Sequence, residues 1–150
     1  MKRNWLLALA LPALLFLLVT EPWTAFIVTE AFEPAPAGAS AVSRGSLVSL
    51  EHESSGTAQI VEADGKRWLR LDPFETSNGP DVVVMLSPKK PDGWLGYDAA
   101  GHVVLGALKG SRGAQNYELP AGLDLSKYAS AVVWCQRFKV GFAAAALGPI

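Results

Sequence analysis

Cys135 is the sole cysteine in a chain of 150 residues, so the chemistry open to it is that of one thiol. Nucleophilic or redox work needs the thiolate, an accessible sulfur and a neighbour that stabilises negative charge. Alternate residues of a strand share a face, which places Arg137 beside Cys135, and Lys139 can join them. The competing role is packing. Cysteine is among the residue types most often buried, and inside Ala131 to Gln136, reading AVVWCQ, it fits as a small apolar side chain of a strand. In neither role can an intrachain disulfide form. Any redox cycle would run through an intermolecular disulfide, a sulfenic acid, or a bound metal or haem.

His52, His102 and Met85 are the other imidazole or soft donors beyond the N-terminal segment. Haem and copper centres use such side chains. These three share no ligand-like spacing, and Met85 falls in a run that reads as core, so no protein-held metal is expected and any cofactor is left unidentified. Asp72, Asp81, Asp98 and Asp124 lack the alternating spacing of a calcium loop and read as turn caps. No Gly-rich phosphate loop opens a helix, and no Ser-His-Asp set has a hydrolase context, so there is no recognisable catalytic constellation and enzyme activity is an open question. The net charge of -1 is made from interspersed charges of both signs. Such a surface has no field with which to gather phosphates, and nucleic acid is not expected as a partner.

The elements that must position Cys135 lie beyond Ser43, where short apolar runs of period two alternate with Gly, Pro, Asn and Asp and no period of 3.6 persists. Leu47 to Glu53 and Gly56 to Glu62 are candidate strands. Asp64-Gly65, between Ala58 to Ala63 and Lys66 to Leu71, has the composition of a two-residue hairpin turn in which both residues need positive φ. Asp72-Pro73 marks the end of that strand. Asp81 to Leu86, DVVVML, is apolar without alternation and predicts a central strand buried on both faces. Ser87 to Gly101 is a long loop whose Trp94 and Tyr97 either form a ligand-binding rim or pin the loop to the sheet, and pinning is the expected role. His102 to Leu108, Gln115 to Leu119, Ala131 to Gln136 and Gly141 to Leu147 complete the set. Seven or eight short strands on one core predict an all-β domain of β-sandwich or jelly-roll type.

Ahead of it, Lys2 and Arg3 precede an apolar run from Trp5 to Val19, broken by Thr20-Glu21-Pro22 before Trp23 to Val28. This is an export signal. Its length of about 15 residues lies between a signal-peptide core and a full span. The absence of a small-residue pair between Thr20 and Phe26 favours residues 1–28 as an uncleaved N-terminal membrane-anchor helix over a signal peptide cut at Ala31 or Ala41. Positive charge held inside then gives a single-pass protein of the cell membrane with its C-terminal domain outside the cytoplasm, or a secreted one if cleavage occurs. Within residues 29–43 the stretch EPAPAGASAVS predicts an extended spacer, leaving 44–150 as the folded domain.

The passage QNYELPAGLDLSKYASAVVWCQRFKVGFAAAAL resembles the end of the DM thirteen, or electron-transfer DM thirteen, domain: Tyr-x-Leu-Pro, an Asp-Leu pair, a tyrosine, then a strand ending in Trp-Cys with aromatic residues after it. Upstream, LRLDPFETSNGPDVVVMLS and VVLGALKGSRGAQNY are similar to the family's Gly-Pro-Asp turn, hydrophobic strand and glycine-containing middle, so the likeness spans Ser43 to Leu147. The resemblance implies a β-sandwich of exported or membrane-linked proteins, proposed to act in electron transfer through its cysteine. Here that residue is Cys135, with Trp134 as its partner aromatic and Phe138 and Phe142 following. Within these 150 residues no DOMON or haem-binding pattern is recognised beside the domain. The expectation is a membrane-tethered extracytoplasmic domain taking part in redox chemistry through Cys135, with an unidentified redox or envelope protein as partner. The rival is a non-catalytic binding or structural module of the cell envelope in which Cys135 is core filler.

Overall fold

The computed structural model describes residues 27–149. The expected anchor helix lies almost wholly outside them, and among the described residues no helix is long and apolar enough to cross a membrane. Those residues form ten strands: β1 (Glu30–Phe32), β2 (Ser40–Ser49), β3 (Ser55–Ala63), β4 (Lys66–Glu75), β5 (Val82–Ser87), β6 (Val103–Ala107), β7 (Arg112–Glu118), β8 (Ser130–Cys135), β9 (Val140–Ala146) and β10 (Gly148–Pro149). The all-β class is therefore observed. The packing of two separate sheets expected of a sandwich is replaced by one continuous curled sheet, in the order β1-β7-β4-β3-β2-β9-β8-β5-β6, with β10 beside β2. Ten residues make β2 long enough to serve both halves: Ser40 to Ser46 pair with β3, and Leu47 to Ser49 pair with β9.

Local chemistry explains the best-defined pieces. Asp64 and Gly65 take φ of 50° and 71° between β3 and β4, as a two-residue hairpin with the sheet's own twist requires. All six residues of β5 are buried, because the curl covers one face and a loop covers the other. Val82, Val84 and Leu86 join Ile60, Leu69, Leu71 and Phe74 in the inner core, while Val83 and Met85 pack outward with Val132, Trp134 and Tyr97. Tyr97 is fully buried and donates its hydroxyl to the Gly93 carbonyl, so the long loop between β5 and β6 is pinned as expected, leaving Trp94 and Leu95 exposed. Where β6 ends against β7, the Tyr117 hydroxyl donates to Gln115 Oε1 at 2.7 Å and accepts the Lys109 amide at 3.2 Å. Burial pushes the Tyr117 phenol up to about 12, so it holds its proton throughout the physiological range.

Two expectations need correction. The stretch read as a spacer is built into the sheet. β1 pairs parallel with β7, β2 begins at Ser40, and Glu33 accepts from Lys109 Nζ and the Asn116 amide at 2.7 Å each. Room for β1 comes from Gly113, at φ 119°, where an added Cβ would stand 2.1 Å from the Ala31 carbonyl oxygen. Backbone hydrogen bonds and one ion pair compensate for the missing apolar side chains, which is why composition alone suggested a free segment. Pro73 also does not end its strand. β4 continues to Glu75 through an irregularity between Leu71 and Phe74, the kind of position at which a residue without an amide proton is tolerated in a sheet.

Candidate functional site

β8 carries the two central residues of the sequence-derived site, and alternation sends them to opposite faces. Cys135 is fully buried in the inner core, whereas Trp134 is buried in the outer cluster, its ring meeting Tyr97 edge-on with centroids 6.1 Å apart. Cys135 is the last residue of β8, flanked by Val82 of β5 and Val140 of β9. Its thiol donates to the Pro80 carbonyl at 3.2 Å. The strand stops there, so the alternation that was to bring Arg137 back beside the sulfur does not continue. Arg137, Phe138 and Lys139 form an exposed turn, with Lys139 at φ 57° and its ammonium 3.3 Å from Asp98.

The acceptor of the thiol's hydrogen bond belongs to the turn Asn78-Gly79-Pro80-Asp81. Asp81 holds it to the strand end: its carbonyl accepts the Gln136 amide at 2.9 Å, and its carboxylate accepts the Gln136 side-chain amide at 3.2 Å. Gly79 is required by crowding, since a Cβ there would meet Phe142 Cζ at 2.7 Å. Phe142 in turn stacks against His52, with ring centroids 3.8 Å apart. His52 Nδ1 shares a 2.8 Å hydrogen bond with Ser77 Oγ, and burial lowers its pKa, with the Glu51 charge opposing, so the imidazole is neutral near pH 7. Ser49, His52, Glu53, Ser54, Glu75 and Thr76 are among the residues lining an open groove of about 720 Å³ at this same end of the sheet. Sequence reasoning placed His52 among scattered donors and missed this groove, because its hydroxyl residues come from two segments distant in sequence.

The remaining candidates are dispersed. His102 bonds the Ala99 carbonyl in its own loop, and Met85 is buried in the outer cluster. Among the described residues no group of three or more His, Cys, Asp or Glu is placed to hold a metal ion. The four aspartates serve turns and pairs: Asp124 accepts from the Ser126 amide, Asp72 pairs with Arg70 at 2.7 Å, and Asp81 and Asp98 act as described. What the arrangement offers chemically is one buried thiol bonded to the Pro80 carbonyl, and, separately, a polar groove lined by His52.

The model of one protein family, described as Electron transfer DM13, matches residues 46–147. No curated protein and no solved structure matches the chain. The matched stretch runs from within β2 through β9 and includes Cys135, the turn bonded to it and the His52 groove. It covers more than half of the sequence, and the chain belongs to the Electron transfer DM13 family.

Proposed function

We propose that this chain is a membrane-tethered, extracytoplasmic electron-transfer domain whose redox-active group is Cys135, shielded until the Asn78–Asp81 turn opens. Family membership supplies the general electron-transfer role. The observation that carries the specific reading is the thiol's position: the chain's single sulfhydryl lies at a strand end and is bonded to the Pro80 carbonyl of a neighbouring turn. Opening the turn removes the hydrogen-bond acceptor. With one sulfur the cycle is intermolecular: the thiolate attacks a disulfide of a partner protein, forming a mixed disulfide and releasing the partner's other sulfur as thiolate. The tether is the apolar segment from Trp5 to Val28, with Lys2 and Arg3 on the cytoplasmic side.

Full burial of Cys135 favours a second reading, a non-catalytic envelope module in which the cysteine is only core. Alkylation of the native protein by a small maleimide, followed by intact-mass measurement, separates the two. A gated thiol labels in the folded state, more slowly than a free thiol but much faster than the protein unfolds. Complete protection until denaturant is added overturns the redox role of Cys135 and leaves the second reading.

A further inference from the structure

The end of the sheet that holds Cys135 is also the end at which the N-terminal segment arrives. Asn78 bonds Ile27 through the Ile27 carbonyl, and the Ser111 amide donates to the Thr29 carbonyl at 2.8 Å. The chain is thus fixed to the domain immediately after the apolar residues end. Ile27 and Val28 themselves stand exposed. On the flank of the same end, the β8–β9 turn presents Phe138, 64 % exposed, between Arg137 and Lys139. Beside it, the Gly141 amide donates to the Trp94 carbonyl at 2.7 Å, which brings 46 %-exposed Trp94 and half-exposed Leu95 to that flank.

We propose that this flank, formed by Trp94, Leu95, Arg137, Phe138 and Lys139, lies directly on the headgroup layer of an anionic lipid bilayer. The inference rests on the tether proposed above. A span ending near Val28 is followed at once by a residue bonded into the sheet, so no slack remains to hold this end of the domain away from the surface. Trp and Phe flanked by cations suit the interface, where aromatic rings sit at headgroup level and Lys or Arg meet lipid phosphate. Asp98 is paired with Lys139, and among the described residues Arg137 forms no ion pair. The groove at the same end is lined by Glu53 and Glu75, which an anionic surface repels. The domain therefore tilts onto the Phe138 flank, with the His52 groove facing water.

The test uses the full chain in vesicles containing about one third anionic lipid. Flotation reports the tether. A nitroxide attached at F138C in a C135A background reports depth through collisions with lipid-dissolved oxygen against a water-soluble nickel complex. A second label at D64C, on the distal hairpin, is the reference. The expected result is flotation, with the label at 138 several-fold more accessible to oxygen and less to nickel than the one at 64, and loss of that difference in R137E. A chain that floats while both labels are equally exposed to nickel overturns the docking and spares the tether. Shielding at 138 from both reagents means contact with protein and also overturns it. A chain that does not float overturns tether and docking together.

Discussion

Gly79→Ala should convert the closed thiol into a readily labelled one without unfolding the protein. The added methyl would stand 2.7 Å from Phe142 Cζ and 3.2 Å from Val82 Cγ2. Ordinary contact begins near 3.4 Å, so the ring or the turn must give by about 0.7 Å. Phe142 is buried and packed against His52, whereas Gly79 and Pro80 are only half-buried, so the turn is the part that yields. Overpacking of this kind costs about 1–3 kcal/mol. When closing is faster than alkylation the labelling rate follows the opening equilibrium, so strain relieved on opening raises that rate about 5- to 150-fold. The assay is maleimide labelling read by intact mass, run beside urea denaturation. Ile60→Val is the control: it removes a methyl from the inner core away from the turn and costs a comparable ~0.5–1.5 kcal/mol globally. If labelling of both variants simply tracks their global stability, the turn is no gate and the reasoning fails.

Other perturbations probe the frame. Gly113→Ala sets a Cβ 2.1 Å from the Ala31 carbonyl at a φ that L-residues rarely adopt, so it should release β1 and lower the unfolding free energy measured in urea by about 2 kcal/mol or more. If stability is unchanged, β1 is not part of the fold. Arg70→Met removes a buried guanidinium that donates to Asp72 at 2.7 Å, Asn116 Oδ1 at 2.7 Å and the Glu33 carbonyl at 3.1 Å; a loss of roughly 3 kcal/mol is expected by chemical denaturation. Cys135→Ala leaves a small cavity and frees the Pro80 carbonyl, costing about 1–2 kcal/mol on the same assay. For Glu33, burial raises the pKa but is outweighed by hydrogen bonds from Lys109 and the Asn116 amide, so the folded-state value is lowered. Its contribution is complete above the unfolded carboxyl pKa and is lost as pH falls through the folded value. The acid limb of the stability profile should therefore flatten in E33Q relative to wild type.

The sequence spoke most clearly where one residue type admits one backbone conformation or one environment. Asp64-Gly65 announced its hairpin, and DVVVML announced a strand with two covered faces, because unbroken apolar runs cannot face water on either side. Residues 30–32 and 40–43 were read as spacer because their hold on the sheet is through amides, carbonyls and the Glu33–Lys109 pair, none of which leaves a periodic trace. Curling into one sheet was likewise invisible, since it depends on the length of β2 and its partition between β3 and β9. Cys135 is a candidate from residue type alone. The neighbouring turn is not legible there, because the closeness of Gly79 to Phe142 joins residues 63 positions apart, and Arg137 is misplaced when alternation is carried past the end of β8.

The parallel placement of β1 on β7 sets how the domain bears load. A pull on the N-terminus along the strand axis drags β1 lengthwise past its neighbour, so its hydrogen bonds and the Glu33 contacts to Lys109 and Asn116 resist at once instead of opening in sequence. A sideways pull would peel them one at a time. β1 is therefore stiff to force along its own axis and compliant to force across it.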